Sequence, residues 1–137
     1  MSADHVQLVQ RLYDAIAKHD SDTVLGLYDP HVVCDYSRVG WGDLTGDGVY
    51  YGHDGLRAVY RDWYEAWDEY EEELEELIDA DDRVISVVTG RARGRASGVA
   101  VENAHHAGVW TIQDGKIIRV VWFPSRQEAL DAAGGEG

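Results

Sequence analysis

The sequence is poor in the residues that crosslink a fold, carry positive charge or cross a membrane. It has one cysteine, Cys34, so no internal disulfide can form and the fold must rest on its core. No N-terminal stretch joins a basic start to the apolar run of a secretory signal, and the expected location is the cytoplasm. Twelve basic residues stand against 26 acidic ones, a net charge of -14. That balance repels phosphate backbones and anionic bilayer surfaces, so neither nucleic acid nor membrane is expected as a partner. No segment reaches the roughly 18 consecutive apolar residues of a membrane-spanning helix. Glycine-rich phosphate loops and zinc or EF-hand spacings are also missing. Adjacent His105 and His106 would point to opposite sides of a strand and cannot chelate one ion as a pair. No metal and no cofactor are expected.

What is present is a chain of 137 residues, 45% hydrophobic, with five tryptophans and eight tyrosines. That is enough for one self-supporting domain, expected over residues 1–133, with 134–137 as a flexible tail. Val6, Val9, Tyr13 and Ile16 recur at helical spacing after Ser2 and Asp4, predicting a helix to about Lys18. A second short helix starts at Asp20-Ser21-Asp22 and stops near Tyr28, because Asp29 precedes Pro30. "HVVCDY" reads as a strand. "RVGWGDLTGDGVYYG" places five glycines in fifteen residues and reads as loop with a brief hairpin, carrying Trp41. Leu56, Val59, Tyr60, Trp63 and Trp67 then predict a third helix entered at Asp54.

Glutamate and leucine in "DEYEEELEELIDADDRVISVVTGRARGRAS" favour helix by propensity. The period-two alternation from Ile85 to Ala96 predicts a β-hairpin instead. A turn centred on Asp81 would set Glu71 opposite Arg91, Glu69 opposite Arg93 and Asp79 opposite Arg83. Strands over Val99–Gln113 and Lys116–Phe123 flank the Asp114-Gly115 turn. Ser125 and Glu128 form a capping box for a closing helix that Gly134 ends. On the first of those strands Ala104, His106, Gly108, Trp110 and Ile112 share one face. Helices, a strand, an aromatic helix and a four-strand meander make an α+β order in which one curved sheet wraps against helices.

"QRLYDAIAKHD", "YYGHDGLRAVYRDWYEAW", "ELIDADDRVISVV" and "GVWTIQDGKIIRVVWF" resemble the SnoaL-like polyketide cyclase group of the nuclear-transport-factor-2-like superfamily, over essentially the whole chain. The resemblance implies a cone-shaped barrel: three N-terminal helices on a strongly bent mixed or antiparallel sheet, with a short C-terminal helix. It implies an apolar cavity at the wide end and a homodimer through the outer sheet.

Ketosteroid isomerase relatives carry a carboxylate base near the end of the first strand, where Asp35 stands with one gap. Their helix-one tyrosine falls on Leu12, with Tyr13 one residue away. Their second donor falls on Gly108, as does the histidine common in SnoaL-like relatives. The limonene epoxide hydrolase carboxylate of the final strand is replaced by Trp122. His106, one pleat from Gly108, could serve as the acid or base that glycine cannot be, since imidazole can pass a proton either way near neutral pH. The expected function is cofactor-independent isomerase, cyclase or lyase chemistry on an apolar, carbonyl-bearing molecule. Asp35 and His106 are the expected acid–base pair, with Tyr13, Tyr36, Trp41, Trp63, Trp110 and Trp122 shaping the cavity. The alternative is a non-catalytic ligand-binding or dimerisation module in which His106 is a satisfied core residue. His31 and His53 are expected to be structural, and Cys34 a poor nucleophile beside Asp35.

Overall fold

The computed structural model describes residues 2–18, 20–37, 48–80, 82–94 and 100–134. Helix α1 (Ser2–Ala17) buries Leu8, Val9, Leu12 and Ala15, one stripe at helical spacing. Helix α2 (Ser21–Leu27) starts at Asp20, whose carboxylate accepts from the Thr23 backbone N–H at 3.3 Å and the Thr23 hydroxyl at 2.7 Å. That satisfies one of the amide groups every helix start leaves without an intrahelical acceptor. Tyr28 is already extended, so the chain passes directly from α2 into strand β1 (Tyr28–Asp35).

Strand β2 (Val49–Tyr51) pairs antiparallel with the end of β1. Gly52 then opens helix α3 (Gly52–Ala66) at a φ of +69°, where a Cβ would lie 3.0 Å from the Pro30 carbonyl oxygen. Only glycine combines that dihedral with that closeness. The helix ends at Ala66, one residue short of the expected stripe, and Trp67 begins strand β3 (Trp67–Ala80).

The glutamate-rich segment is a strand, paired antiparallel with β4 (Arg83–Gly94) from Ala80↔Arg83 outwards. Glu71 stands opposite Arg91 as expected. The other two pairs shift by one: Asp68 faces Arg93, and Asp79 faces Val84. The turn is one residue tighter in pairing than a centre on Asp81 requires, and two irregularities further along the ladder reset the register. Strands β5 (Ala100–Gln113) and β6 (Lys116–Phe123) meet across Asp114 and Gly115, both at positive φ, the conformation that matches hairpin twist.

The six strands form one curled, unclosed sheet in the order β2-β1-β6-β5-β4-β3, with β1 and β6 parallel and every other pair antiparallel. Its inner face packs on α1, α2 and α3 through Val32, Cys34, Val84, Val88, Trp110, Val120 and Trp122. Its outer face holds a smaller cluster of Ile85, Val87, Ala107, Val109 and Phe123 under helix α4 (Arg126–Gly134). Ser125 caps that helix by accepting from the Glu128 N–H at 3.2 Å. Two side chains tie α4 to the sheet. Arg83 donates to the carbonyls of Ala132 and Ala133, and Arg126 forms a two-pronged pair with Glu76 at 2.8 and 3.2 Å. The result is the expected α+β cone-like arrangement. Of the expected tail, 134–137, Gly134 is the last residue of α4, and 135–137, like Trp41, lie outside the described residues.

Candidate functional site on the inner face of the sheet

Alternation along the central strands sorts every candidate residue onto one face or the other. Across β4, β5 and β6, Ser86, Gly108 and Trp122 lie in one row, with Val84, Trp110 and Val120 in the next. His106 lies opposite Val88. All of these belong to the inner face, as the spacing of "AHHAGVW" predicted for His106, Gly108 and Trp110.

His106 is 4% exposed, with its ring centroid 5.3 Å from that of Trp122 at 48°. Trp122 stacks on Tyr36 at 6.4 Å and 13°, and meets Trp110 edge-on at 5.8 Å. Trp110 in turn meets Tyr13 edge-on at 6.1 Å and Tyr28 at 6.4 Å. The offset and edge-to-face geometries are those favoured by ring quadrupoles. Tyr13, Trp110, Trp122, Tyr36 and His106 therefore form one continuous aromatic surface. Tyr13 reaches it from α1, while Leu12 is fully buried in the core.

Gly108 explains how that surface closes. A Cβ there would stand 3.2 Å from Trp110 Nε1 and from two ring carbons of Trp122. The two indoles occupy the space a side chain at this position would need. Beneath them is Ser86, wholly buried, which the sequence reading did not single out. Its Oγ accepts from Trp110 Nε1 at 2.7 Å and lies 2.9 Å from the Tyr13 hydroxyl. A lone serine in a valine-rich strand offers no spacing signal. Only its place in the alternation of β4, on the face of Val84 and Val88, could have marked it.

Asp35 is not part of this surface. Cys34 aligns with Val120 and belongs to the inner core, whereas Asp35 aligns with Val121 on the outer side. Its Oδ1 accepts from the Ser37 N–H at 2.9 Å and the Ser37 hydroxyl at 2.6 Å. The structure thus sets Asp35 and His106 on opposite faces of one sheet and does not bring the expected acid–base pair together. Cys34 is unreactive for a different reason than its neighbour's charge: burial pushes its thiol up to about 12. Burial likewise raises the Tyr28 phenol well above its ordinary value, with Tyr60, Cys34 and Tyr36 adding to it.

The Nε2 atom of His53 lies 3.0 Å from the Tyr28 carbonyl oxygen, so this nitrogen carries the hydrogen and donates, a structural tie between α3 and β1. His31 is exposed at the start of β1, its N–H bound by Asp29. The side chains of Trp63 and His105, like Trp41, lie outside the described residues. Among the described residues no three His, Cys, Asp or Glu side chains gather to hold a metal, and no helix is long and apolar enough to cross a membrane. A separate surface cleft of about 380 Å³ lies between the three N-terminal helices, floored by Ile16, Val24, Leu25 and Tyr60 and flanked by Arg57 and Arg61.

Solved structures with the same fold cover nearly the whole chain. An NTF2-like protein of unknown function from Burkholderia pseudomallei is 21% identical, covering 96% of this chain and 98% of its own, with a TM-score of 0.78. An NTF2-like protein from Burkholderia thailandensis is 29% identical over 86% of this chain and 88% of its own, with a TM-score of 0.74. TerC, co-crystallised with polyporic acid, is 19% identical over 95% of this chain and 97% of its own, with a TM-score of 0.76. No curated protein matches the sequence. Residues 9–120 match the SnoaL-like domain family, and the chain belongs to that family.

Proposed function

We propose that this domain binds an apolar, carbonyl-bearing molecule against the inner face of β4, β5 and β6 and moves a proton on it without a cofactor. The observation that carries this reading is His106, buried beside Trp122 on that face. Tyr13, Tyr36, Trp110 and Trp122 form the walls in this proposal. A neutral imidazole nitrogen takes a hydrogen next to the carbonyl as a proton. The C–H electron pair becomes the enolate double bond, and the carbonyl π pair moves to oxygen. The proton returns at the same or a conjugated carbon, an isomerase-, cyclase- or lyase-type step. Asp35 has no part in this step, because its carboxylate is on the other face and is held by Ser37. Co-crystallisation of TerC with polyporic acid supports a small organic molecule as occupant. A homodimer through the outer sheet belongs to the same proposal, and light scattering would test it.

Deuterium uptake from heavy water into 2-tetralone and a panel of β-dicarbonyls, followed by NMR, tests the chemistry. Wild type should catalyse exchange and His106→Ala should lose it by roughly 100-fold or more. Catalysed exchange that survives His106→Ala defeats the proposal. One observation favours a second reading, a non-catalytic binding module: two indoles fill the space over Gly108, the position where the resemblance expects a histidine. Binding without exchange in wild type would favour that module.

A further inference from the structure

We propose that the cleft between the three N-terminal helices is a second binding site, for a small apolar molecule carrying one carboxylate. It is distinct from the inner face of the sheet, because α1, α2, the Asp20 cap and α3 supply its described lining and no strand contributes. Its volume of about 380 Å³ falls toward the small end of ligand pockets. Ile16 ends the apolar stripe of α1, Val24 and Leu25 come from α2, and Arg57, Tyr60 and Arg61 share one face of α3 at i, i+3 and i+4. Val24 is buried, whereas Ile16, Leu25 and Tyr60 are only half-buried: they pack on the core and keep apolar surface uncovered. Tyr60 brings its hydroxyl to 3.5 Å from that of buried Tyr28, which leaves its ring as floor. A hydrocarbon body laid on this floor is stabilised in proportion to the apolar area it removes from water.

Arg57 supplies the charge. Its Nη1 donates to Asp54 Oδ1 at 3.1 Å, an i,i+3 pair in which both side chains are largely exposed. Such a pair is weak, and it uses one of the five N–H donors of the guanidinium, so the fork can still take a carboxylate. Arg61 stands one turn on along the same wall. Asp20 is the acid among the described lining residues, and both its oxygens already accept from Thr23. The charged end of a ligand is therefore directed to α3, with its apolar body over Ile16 and Leu25. A net charge of -14 opposes each further negative charge on a ligand, which favours a single carboxylate over a polyanion. The site stands or falls independently of proton transfer on the inner face.

Isotopically labelled full chain, titrated in turn with 3-phenylpropionate, its uncharged amide 3-phenylpropionamide and the cation 3-phenylpropylamine, tests the site by NMR. The carboxylate should shift the backbone amides of Val24, Leu25 and Tyr60 saturably, and the uncharged amide should bind roughly ten-fold more weakly. Arg57→Gln, a change at an exposed position, should remove most of that difference by weakening the carboxylate alone. Added salt should do the same, since the charges are screened and the apolar floor is not. No saturable shift of those three signals by about 10 mM carboxylate overturns the proposal. So does equal affinity for the carboxylate and its amide, or a preference for the amine, which would assign the cleft to Asp20. Carboxylate shifts confined to the Trp122 indole and the His106 ring, or a carboxylate affinity unchanged by Arg57→Gln, would overturn it as well.

Discussion

The two faces of the central strands are built from alternate residues of the same chain, yet they do different work. The part of the outer face under α4, Ile85, Val109, Val121 and Phe123, is hydrocarbon against Ala129, Leu130 and Ala133. The inner face sets Ser86, Trp110, Trp122 and His106 beside Tyr13 and Tyr36, so that polar atoms sit among aromatic rings. A hydrocarbon face needs only volume and exclusion of water. A face with buried hydroxyls and ring nitrogens must satisfy them in fixed directions, and this is what gives it the means to recognise a ligand. One residue of register decides between them: Tyr36 is on the inner face and Asp35 on the outer.

Trp122→Ala should break this contrast most severely. It removes a ring that touches His106, Tyr36 and Trp110 at once and should cost about 3–5 kcal/mol in urea denaturation. Val121→Ala, one residue away on the half-buried outer side, should cost much less. Equal losses would mean that the inner aromatic surface is not the better-packed one. Next in size is Gly108→Ala, where the added methyl must push an indole aside. A loss of roughly 1–3 kcal/mol is expected. Gly26→Ala, with nothing within 4 Å of its Cβ and a helical position, should instead gain up to about 1 kcal/mol.

Asp35→Asn sharpens the comparison of faces. Asparagine keeps an oxygen for the Ser37 N–H, so stability should fall by no more than about 1.5 kcal/mol, and catalysed deuterium exchange should be unchanged. Loss of exchange in this variant would place the reacting group on the wrong face for this account. The smallest effect concerns the clip between α4 and β3. The hydrogen bond from Arg126 holds the Glu76 carboxyl below its ordinary 4.5, with the guanidinium charge adding to it. A depressed carboxyl contributes stability above its unfolded value and loses it as pH falls through the folded one. The small difference in urea midpoint between wild type and Arg126→Ala should thus be present at neutral pH and shrink below 4.5. A difference independent of pH would assign it to packing of the arginine stem.

The sequence was most readable where a local rule acts alone. Period-two alternation over Ile85 to Ala96 outweighed the helical propensity of the glutamates in β3, since pairing with β4 decides the strand's state. Capping at Asp20 and Ser125 and the Asp114-Gly115 turn were equally local. The boundary at Trp67 was not, because an aromatic residue at that spacing suits both the end of a helical stripe and the start of a strand. The salt-bridge register was displaced by a tighter turn at one end and a ladder irregularity at the other, neither of which leaves a mark in the residues themselves. Asp35 was misplaced relative to the inner aromatic surface for a similar reason. Its face is set by the parallel pairing of β1 with β6, some eighty residues on, and by the Ser37 turn that captures its carboxylate. His106 could be placed because it shares a strand with Trp110, and parity within one strand is fixed by geometry alone.

The most direct test of the account is a titration of isotopically labelled protein with 2-tetralone, following the Trp110 and Trp122 indole signals, the His106 ring and the methyls of Val109 and Val121. The account predicts saturable shifts of the Trp122 indole and His106 ring, with the Val109 and Val121 methyls unmoved. Shifts confined to those methyls, or none on the inner face at any concentration, would contradict it.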